Sequence, residues 1–232
     1  EKYGEWGIIL GATEGVGKAF AEKIASEGMS VVLVGRREEK LQELGKSISE
    51  TYGVDHMVIR ADFAQSDCTD KIFEATKDLD MGFMSYVACF HTFGKLQDTP
   101  WEKHEQMINV NVMTFLKCFY HYMGIFAKQD RGAVINVSSL TAISSSPYNA
   151  QYGAGKSYIK KLTEAVAAEC ESTNVDVEVI TLGTTITPSL LSNLPGGPAG
   201  EAVMKTAMTP EACVEEAFDN LGKSLSVIAG EH

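Results

Sequence analysis

Tyr152 and Lys156 stand four residues apart in Tyr-Gly-Ala-Gly-Lys, thirteen residues after Ser139, and no other tyrosine of the chain has a lysine at that spacing. On a helix, positions i and i+4 share a face, so an ammonium would lie beside a phenol whose ordinary pKa is ~10. A charge ~5 Å away at an effective dielectric of ~20 is worth roughly 3 kcal/mol, enough to lower the phenol by ~2 units. A tyrosine so tuned could exchange a proton with a carbonyl or an alcohol. Ser139 would then hold the same oxygen through its hydroxyl while the charge on it changes. Tyrosine and lysine also meet at this spacing in plain surface packing, so the pair gains meaning only from its company.

That company is at the other end of the chain. The apolar run Gly7-Ile8-Ile9-Leu10 leads into Gly11-Ala12-Thr13-Glu14-Gly15-Val16-Gly17 and then into an amphipathic stretch, Lys18 to Glu27. This reads as strand, glycine turn and helix. Glycines allow positive φ and close backbone approach, and amides at a helix start can hold phosphate oxygens. A Walker loop is excluded, because five residues separate Gly11 from Gly17 and Ala19 follows Lys18. Gly155-Lys156-Ser157 fails too, since Ala150 stands where the earlier glycine is required. The dinucleotide spacing Gly-x-Gly-x-x-Gly is absent because position 20 is Phe. What remains is Gly-x3-Gly-x-Gly.

With Ser139, Tyr152 and Lys156, this turn resembles the short-chain dehydrogenase/reductase family, over essentially the whole chain. The resemblance implies that Tyr152 is the proton donor or acceptor, that Lys156 lowers its pKa and holds the nicotinamide ribose, and that Ser139 fixes the substrate oxygen. The family's asparagine, which supports a proton relay, falls on Asn111 in Ile-Asn-Val-Asn-Val. The aspartate that touches the adenine falls on Asp62, with Phe63 beside it. Gly11, Thr13, Glu14, Gly15, Val16 and Gly17 would cradle the cofactor, with Ala88, Thr185 and Thr187 further along it. Three stretches depart from the family: Tyr86-Val87-Ala88-Cys89 replaces Asn-Asn-Ala-Gly, Leu10 replaces Thr, and Leu182 replaces the Pro before Gly183. Cys89 is read here as a small core residue.

Cofactor choice is read after the second strand. An NAD enzyme places an acid there for the ribose 2′-hydroxyl, whereas this chain has Val34-Gly35-Arg36-Arg37. Arg36 can offer a phosphate a forked pair of charge-assisted hydrogen bonds, with Arg37 beside it. NADP(H) is the expected cofactor. Glu14 argues the other way, because NADP-dependent members often carry a basic residue at that point of the turn.

Strands are expected at Gly7–Leu10, Ser30–Val34, His56–Ala61, Phe83–Ala88, Ala133–Val137, Val175–Leu182 and Leu225–Ala229, with amphipathic stretches between them. That alternation predicts an α/β chain: a single doubly wound, Rossmann-type domain over residues 1–232, with a seven-stranded parallel sheet. The resemblance supplies the strand order 3-2-1-4-5-6-7. Right-handed crossovers put the ligand crevice at the carboxyl ends of the strands, where Gly11, Asp62, Cys89, Ser139 and Gly183 all fall.

Two segments are expected to cover the substrate. His91 and Phe93 follow the fourth strand, and a lid at about 187–207 carries Leu190, Leu191, Leu194, Pro195 and Pro198. Tyr148 is a further candidate for the wall. Apolar side chains there suit a sizeable hydrophobic substrate. Stretches not common to the whole family, Asp98 to Glu105, Gln151 to Lys156 and Thr187 to Gly197, resemble its bacterial hydroxysteroid dehydrogenases. This implies a small-molecule steroid or bile-acid substrate, turned over between a 7β-hydroxyl and a 7-oxo group, and a homodimer or homotetramer. Ala142 and Tyr148 stand where Gly and Trp are expected of those enzymes. A 3-oxoacyl carrier-protein reductase would use the same residues but should present a basic face to its acidic carrier. A non-catalytic NADP-sensing protein of this fold would normally have lost Tyr152 or Lys156.

Composition agrees. The 232 residues, 44% of them hydrophobic, are enough for one α/β core. A net charge of −11 disfavours nucleic acid, which needs a basic stripe. No apolar run reaches a membrane span and no leader pattern is visible. Five cysteines without close spacing point to reduced thiols and a cytoplasmic setting. The scattered histidines suggest no metal site.

Overall fold

Runs of β-branched and large apolar residues become strands because they pack well on a pleated, doubly covered surface. In the computed structural model, which describes residues 2–144, 147–194 and 196–230, with only the backbone of 193 and 199, these strands form one sheet. Pro195, named above in the lid, lies outside the described residues. The strands are β1 (Trp6–Leu10), β2 (Ser30–Gly35), β3 (His56–Arg60), β4 (Met81–Tyr86), β5 (Gly132–Ser139), β6 (Val175–Leu182) and β7 (Ser226–Ile228). Their order is β3-β2-β1-β4-β5-β6-β7 and every pairing is parallel.

Six helices cover the two faces. On one side lie α1 (Gly15–Ser26), α2 (Glu38–Tyr52) and α9 (Pro210–Asn220), packed over Ile9, Leu33, Ile135 and Ile180. On the other lie α3 (Cys68–Thr76), α5 (Phe115–Gln129) and α6 (Ala150–Glu169), over Ile8, Val32, Met84 and Val134. Alternate residues of each strand therefore serve opposite cores. Val31, Val32, Leu33 and Val34 have no solvent exposure, and each such side chain contributes ~1.5–3 kcal/mol of burial. Among the described residues no helix is long and apolar enough to cross a membrane.

Two local departures shape the crevice. β4 ends at Tyr86, short of the expected Ala88. The amides of Val87 and Ala88 instead both donate to the Leu10 carbonyl, at 2.9 and 2.8 Å, which swings the chain out of the ladder. The second departure is a wide π turn, Asn109–Thr114, joining α4 (Trp101–Ile108) to α5. The expected lid is not an open loop. It consists largely of two short helices, α7 (Pro188–Asn193) and α8 (Pro198–Lys205), each with proline in its first turn.

Candidate active site

The glycine turn is built for close backbone contact. Gly11 has φ +106°, and a Cβ there would lie 2.6 Å from the Ala88 nitrogen. At Gly17 a Cβ would lie 2.0 Å from the Gly11 carbonyl oxygen, so only glycine lets α1 start against the turn. Gly17 is thus beneath the crevice and not on its lining. Thr187 caps α7 by accepting from the Leu190 amide at 3.2 Å, and its methyl group lies against Gly15.

The turn opens into a cavity of about 700 Å³ at the carboxyl ends of the strands. It is lined at one end by Gly11, Thr13, Glu14, Gly15, Val16 and Arg36, and at the other by Ser139, Tyr152 and Lys156. Asp62, Phe63 and Ala88 lie along one wall, with Thr185 and Thr187 across from them. The predicted cofactor and catalytic positions are therefore brought together, save Gly17 and Asn111. Of the predicted substrate positions, His91, Phe93 and Leu190 face the cavity, whereas Tyr148 and Leu194 lie outside its lining. Tyr148 is more than half exposed and adopts φ +65°, a strained conformation for a tyrosine. The lining also includes Asn149 and Gln106, which motif reading passed over because amides at those spacings carry no motif.

α6 places the catalytic pair. Lys156 is buried, its Nζ 5.9 Å from the Tyr152 ring centre and donating to the Val137 carbonyl at 2.8 Å. Burial holds the Lys156 ammonium below its usual range, offset in part by Cys89. Burial likewise pushes the Tyr152 phenol up, the Cys89 thiol adds to the rise, and the hydrogen bond from Ser139 opposes both. This corrects the expected lowering: in the folded site desolvation dominates, and the Lys156 ammonium is turned to a main-chain oxygen. A phenol held protonated is matched to giving a proton away.

Asn111 sits on the π turn, and its carboxamide clasps Phe90 from both sides. It accepts from the Phe90 amide at 2.9 Å and donates to the Phe90 carbonyl at 2.7 Å. That bond pair fixes the start of the His91–Phe93 wall. His91 packs its ring 5.6 Å from that of Tyr152 and 5.5 Å from that of Phe93.

Cys89 is not a core residue, as expected, but is exposed at the crevice. The reason is the outward swing after Tyr86. Burial by crowding protein atoms pushes its thiol up, but the bonded His91 ring and the nearby Lys156 outweigh this and hold it below its usual range. His91 is raised by the same bond.

The two arginines after β2 are used differently. Arg37 Nη2 lies 2.8 Å from Glu14 Oε2, and Lys40 Nζ lies 3.7 Å from the same oxygen. Among the described residues Arg36 has no ion-pair partner. The charge of Glu14 is thereby balanced across the crevice mouth. A glycine cradle too tight for any Cβ, with a guanidinium at its rim, fits a phosphate-bearing dinucleotide. A second hollow, between α9 and β7, is lined by Glu215, Glu216 and Asp219 and lies away from these groups.

Comparison with known proteins agrees with the geometry. Over 231 residues the chain is 76% identical to the 7beta-hydroxysteroid dehydrogenase of Mediterraneibacter gnavus, covering 100% of this chain and 88% of that one. The Collinsella aerofaciens enzyme of the same name matches at 76%, with the same coverage. A solved structure from work on 7beta-hydroxysteroid dehydrogenase stereoselectivity superposes with a TM-score of 0.96, at 76% identity, over 99% of this chain and 89% of that one. A short-chain dehydrogenase from Sphingobium yanoikuyae, solved with NADPH, shares the fold with a TM-score of 0.87 at 22% identity, over 98% of this chain and 88% of that one. The family model described as short chain dehydrogenase matches residues 5–194, spanning the glycine turn and the tyrosine–lysine pair alike. By this match, and by relatives that run the length of the chain, the protein belongs to the short-chain dehydrogenase family.

Proposed function

We propose that this protein is an NADP(H)-dependent hydroxysteroid dehydrogenase that interconverts the 7β-hydroxyl and 7-oxo groups of bile acids. The observation that carries the reading is the end-to-end identity to 7beta-hydroxysteroid dehydrogenases in a chain that keeps Ser139, Tyr152 and Lys156 around one cavity.

When bound, the nicotinamide supplies or accepts the hydride. In reduction the Ser139 and Tyr152 hydroxyls hold the ketone oxygen, and the phenol passes its proton to that oxygen as the carbon is reduced. In oxidation the phenolate takes the alcohol proton. Lys156 secures the cofactor ribose and supports the phenolate, while Asn111 supports proton relay from its seat beside Phe90. His91, Phe93 and Leu190 form the apolar wall for the steroid, with Leu194 and Tyr148 at its margin. Support for NADP over NAD comes from Arg36, from the absence of an acid at Gly35, and from the neutralised Glu14.

A homodimer or homotetramer is part of the reading. Trp101, Met113 and Tyr120, along α4, the π turn and α5, are exposed at 74%, 45% and 80%, an apolar surface of the kind that subunit contacts cover. A cytoplasmic setting follows from five unpaired cysteines. The test is incubation of the purified protein with NADPH and a 7-oxo bile acid, with products separated by chromatography. A 7β-alcohol is expected. Fast reduction of acyl thioesters without any steroid turnover would replace this reading with the carrier-protein reductase.

A further inference from the structure

Tyr152 stands in the first turn of α6, where helix amides lack partners within the helix and opening is easiest. The N-cap residue, Asn149, makes no side-chain cap, and its Oδ1 is buried without a hydrogen-bond partner. The second turn is well held: Lys156 Nζ donates to Val137 O, and Ser138 Oγ donates to the Lys156 carbonyl at 2.9 Å. Something else must hold the first.

His104 on α4, 9% exposed, meets Gln151, the residue before Tyr152, at two points. Its ring Nδ1 contacts Gln151 Oε1, and Gln151 Nε2 donates to the His104 carbonyl at 3.0 Å. The other ring nitrogen, Nε2, lies 3.0 Å from the Leu96 carbonyl, in the segment that continues the His91–Phe93 wall. A main-chain bond from Gly94 to the Tyr148 carbonyl, 2.9 Å, ties the same segment to the approach of α6. One buried ring therefore joins the substrate wall to the catalytic helix at the turn that lacks a cap.

We propose that the His104–Gln151 contact is a positioning device, replacing a helix cap, that sets the Tyr152 hydroxyl against Ser139 and the substrate wall. His104 touches no reacting atom and acts through Gln151. The proposal rests on the reading of Tyr152 as proton donor. It predicts a loss confined to turnover, since the glycine turn and Arg36 lie on the far side of the sheet's switch point from α4.

The test compares the parent with His104→Phe, Gln151→Met and the double variant, measuring kcat and KM with a 7-oxo bile acid, NADPH dissociation, and hydrogen exchange in the first turn of α6. Each single variant should lower kcat at least tenfold with NADPH affinity within about twofold, and the double should be no worse than the worse single. Exchange at the Gly153 amide, which donates to the Asn149 carbonyl, should quicken in all three. Turnover within threefold of the parent in the folded singles, or losses that multiply in the double, would overturn the device. Gln151→Met alone carries the test if His104→Phe does not fold. If the parent binds NADPH but turns over no steroid, the proposed reaction fails, and hydrogen exchange still decides the device: unchanged exchange overturns it, quickened exchange upholds it.

Discussion

Arg37 pairs with Glu14 across the glycine turn, Nη2 to Oε2 at 2.8 Å, and so brings together residues that begin α2 and precede α1. The two arginines after β2 should therefore not be equivalent. Arg36→Ala should weaken NADPH by roughly 1.5–3 kcal/mol, the scale of a charged hydrogen bond, with little effect on NADH. Arg37→Ala should cost about 1 kcal/mol or less, because its charge is already balanced in partly exposed surroundings. Gly35→Asp should shift preference toward NADH, with only the Thr13 hydroxyl needing to turn aside for the new Cβ. Dissociation constants for both cofactors check all three. Equal losses for the two arginine variants would place 2′-phosphate recognition elsewhere.

Tyr152→Phe should abolish nearly all turnover and leave NADPH binding within about twofold. Because burial raises the phenol in the folded site, ketone reduction should stay near its maximum through neutral pH, with the proton in place. Alcohol oxidation, which needs the phenolate, should climb as pH rises. Rate–pH profiles in both directions, with the variant as control, read this out. A reduction rate that fell between pH 6 and about 8 would contradict it.

Gly17→Ala should fail structurally before it fails chemically. The new methyl would overlap the Gly11 carbonyl, a backbone atom that cannot turn aside. We expect about 3 kcal/mol of lost stability, at the upper end for overpacking, and a weakened NADPH site. Denaturant melts with and without NADPH measure both.

Glu178 carries the sharpest pH dependence of stability. It is fully buried on β6, in register with Ile135, and both carboxylate oxygens lack partners. Burial raises its pKa to about 8 from an ordinary 4.5. Its proton is thus held in the folded state where the unfolded chain has released it. Stability is full below the unfolded value, falls as pH rises, and levels off above about 8, a total on the order of 5 kcal/mol. Glu178→Met should raise the midpoint of thermal unfolding at pH 8–9 and change it little at pH 5. A gain of equal size at both pH values would show that packing, not ionisation, is at issue.

Reduction of a 7-oxo bile acid should give one epimer in large excess. A rigid ring system held against His91, Phe93 and Leu190, with its oxygen at Ser139 and Tyr152, presents one face to the hydride. The expected product is the 7β-alcohol. Predominance of the 7α-alcohol would reverse the orientation assigned to the steroid.

Features set by local spacing were legible in the chain itself. The glycine turn and the tyrosine–lysine pair are each contained in a few residues, so both could be located without coordinates. Six of the seven strands differed by one or two residues at an end, and β6 fell where expected, because apolar runs mark the core directly. What escaped notice depends on partners far apart in sequence. Cys89 looked like core until the turn after Tyr86 carried it into the crevice. The sign of the Tyr152 shift depended on burial, which no spacing encodes. Arg37 and Glu14 look like rivals for the cofactor in sequence and become partners only when β1 and β2 lie side by side. His104 belongs to no motif, and its burial follows only from α4 packing on α6.

The π turn between Ile108 and Phe115 sets the phase of the helical stretch that contains it. Each residue advances an α-helix by about 100°, so one residue accommodated in a wider turn rotates all that follows relative to all that precedes. Here it lets Met107 before the turn and Val110 within it face inward together with Phe115, Phe119, Tyr122 and Phe126 after it. Deleting one residue from Asn109–Thr114 would close the turn and send that aromatic row toward solvent. The same deletion would draw Asn111 away from Phe90. One change of length would thus disturb the Asn111–Phe90 bonds and the aromatic core together, because the turn couples them.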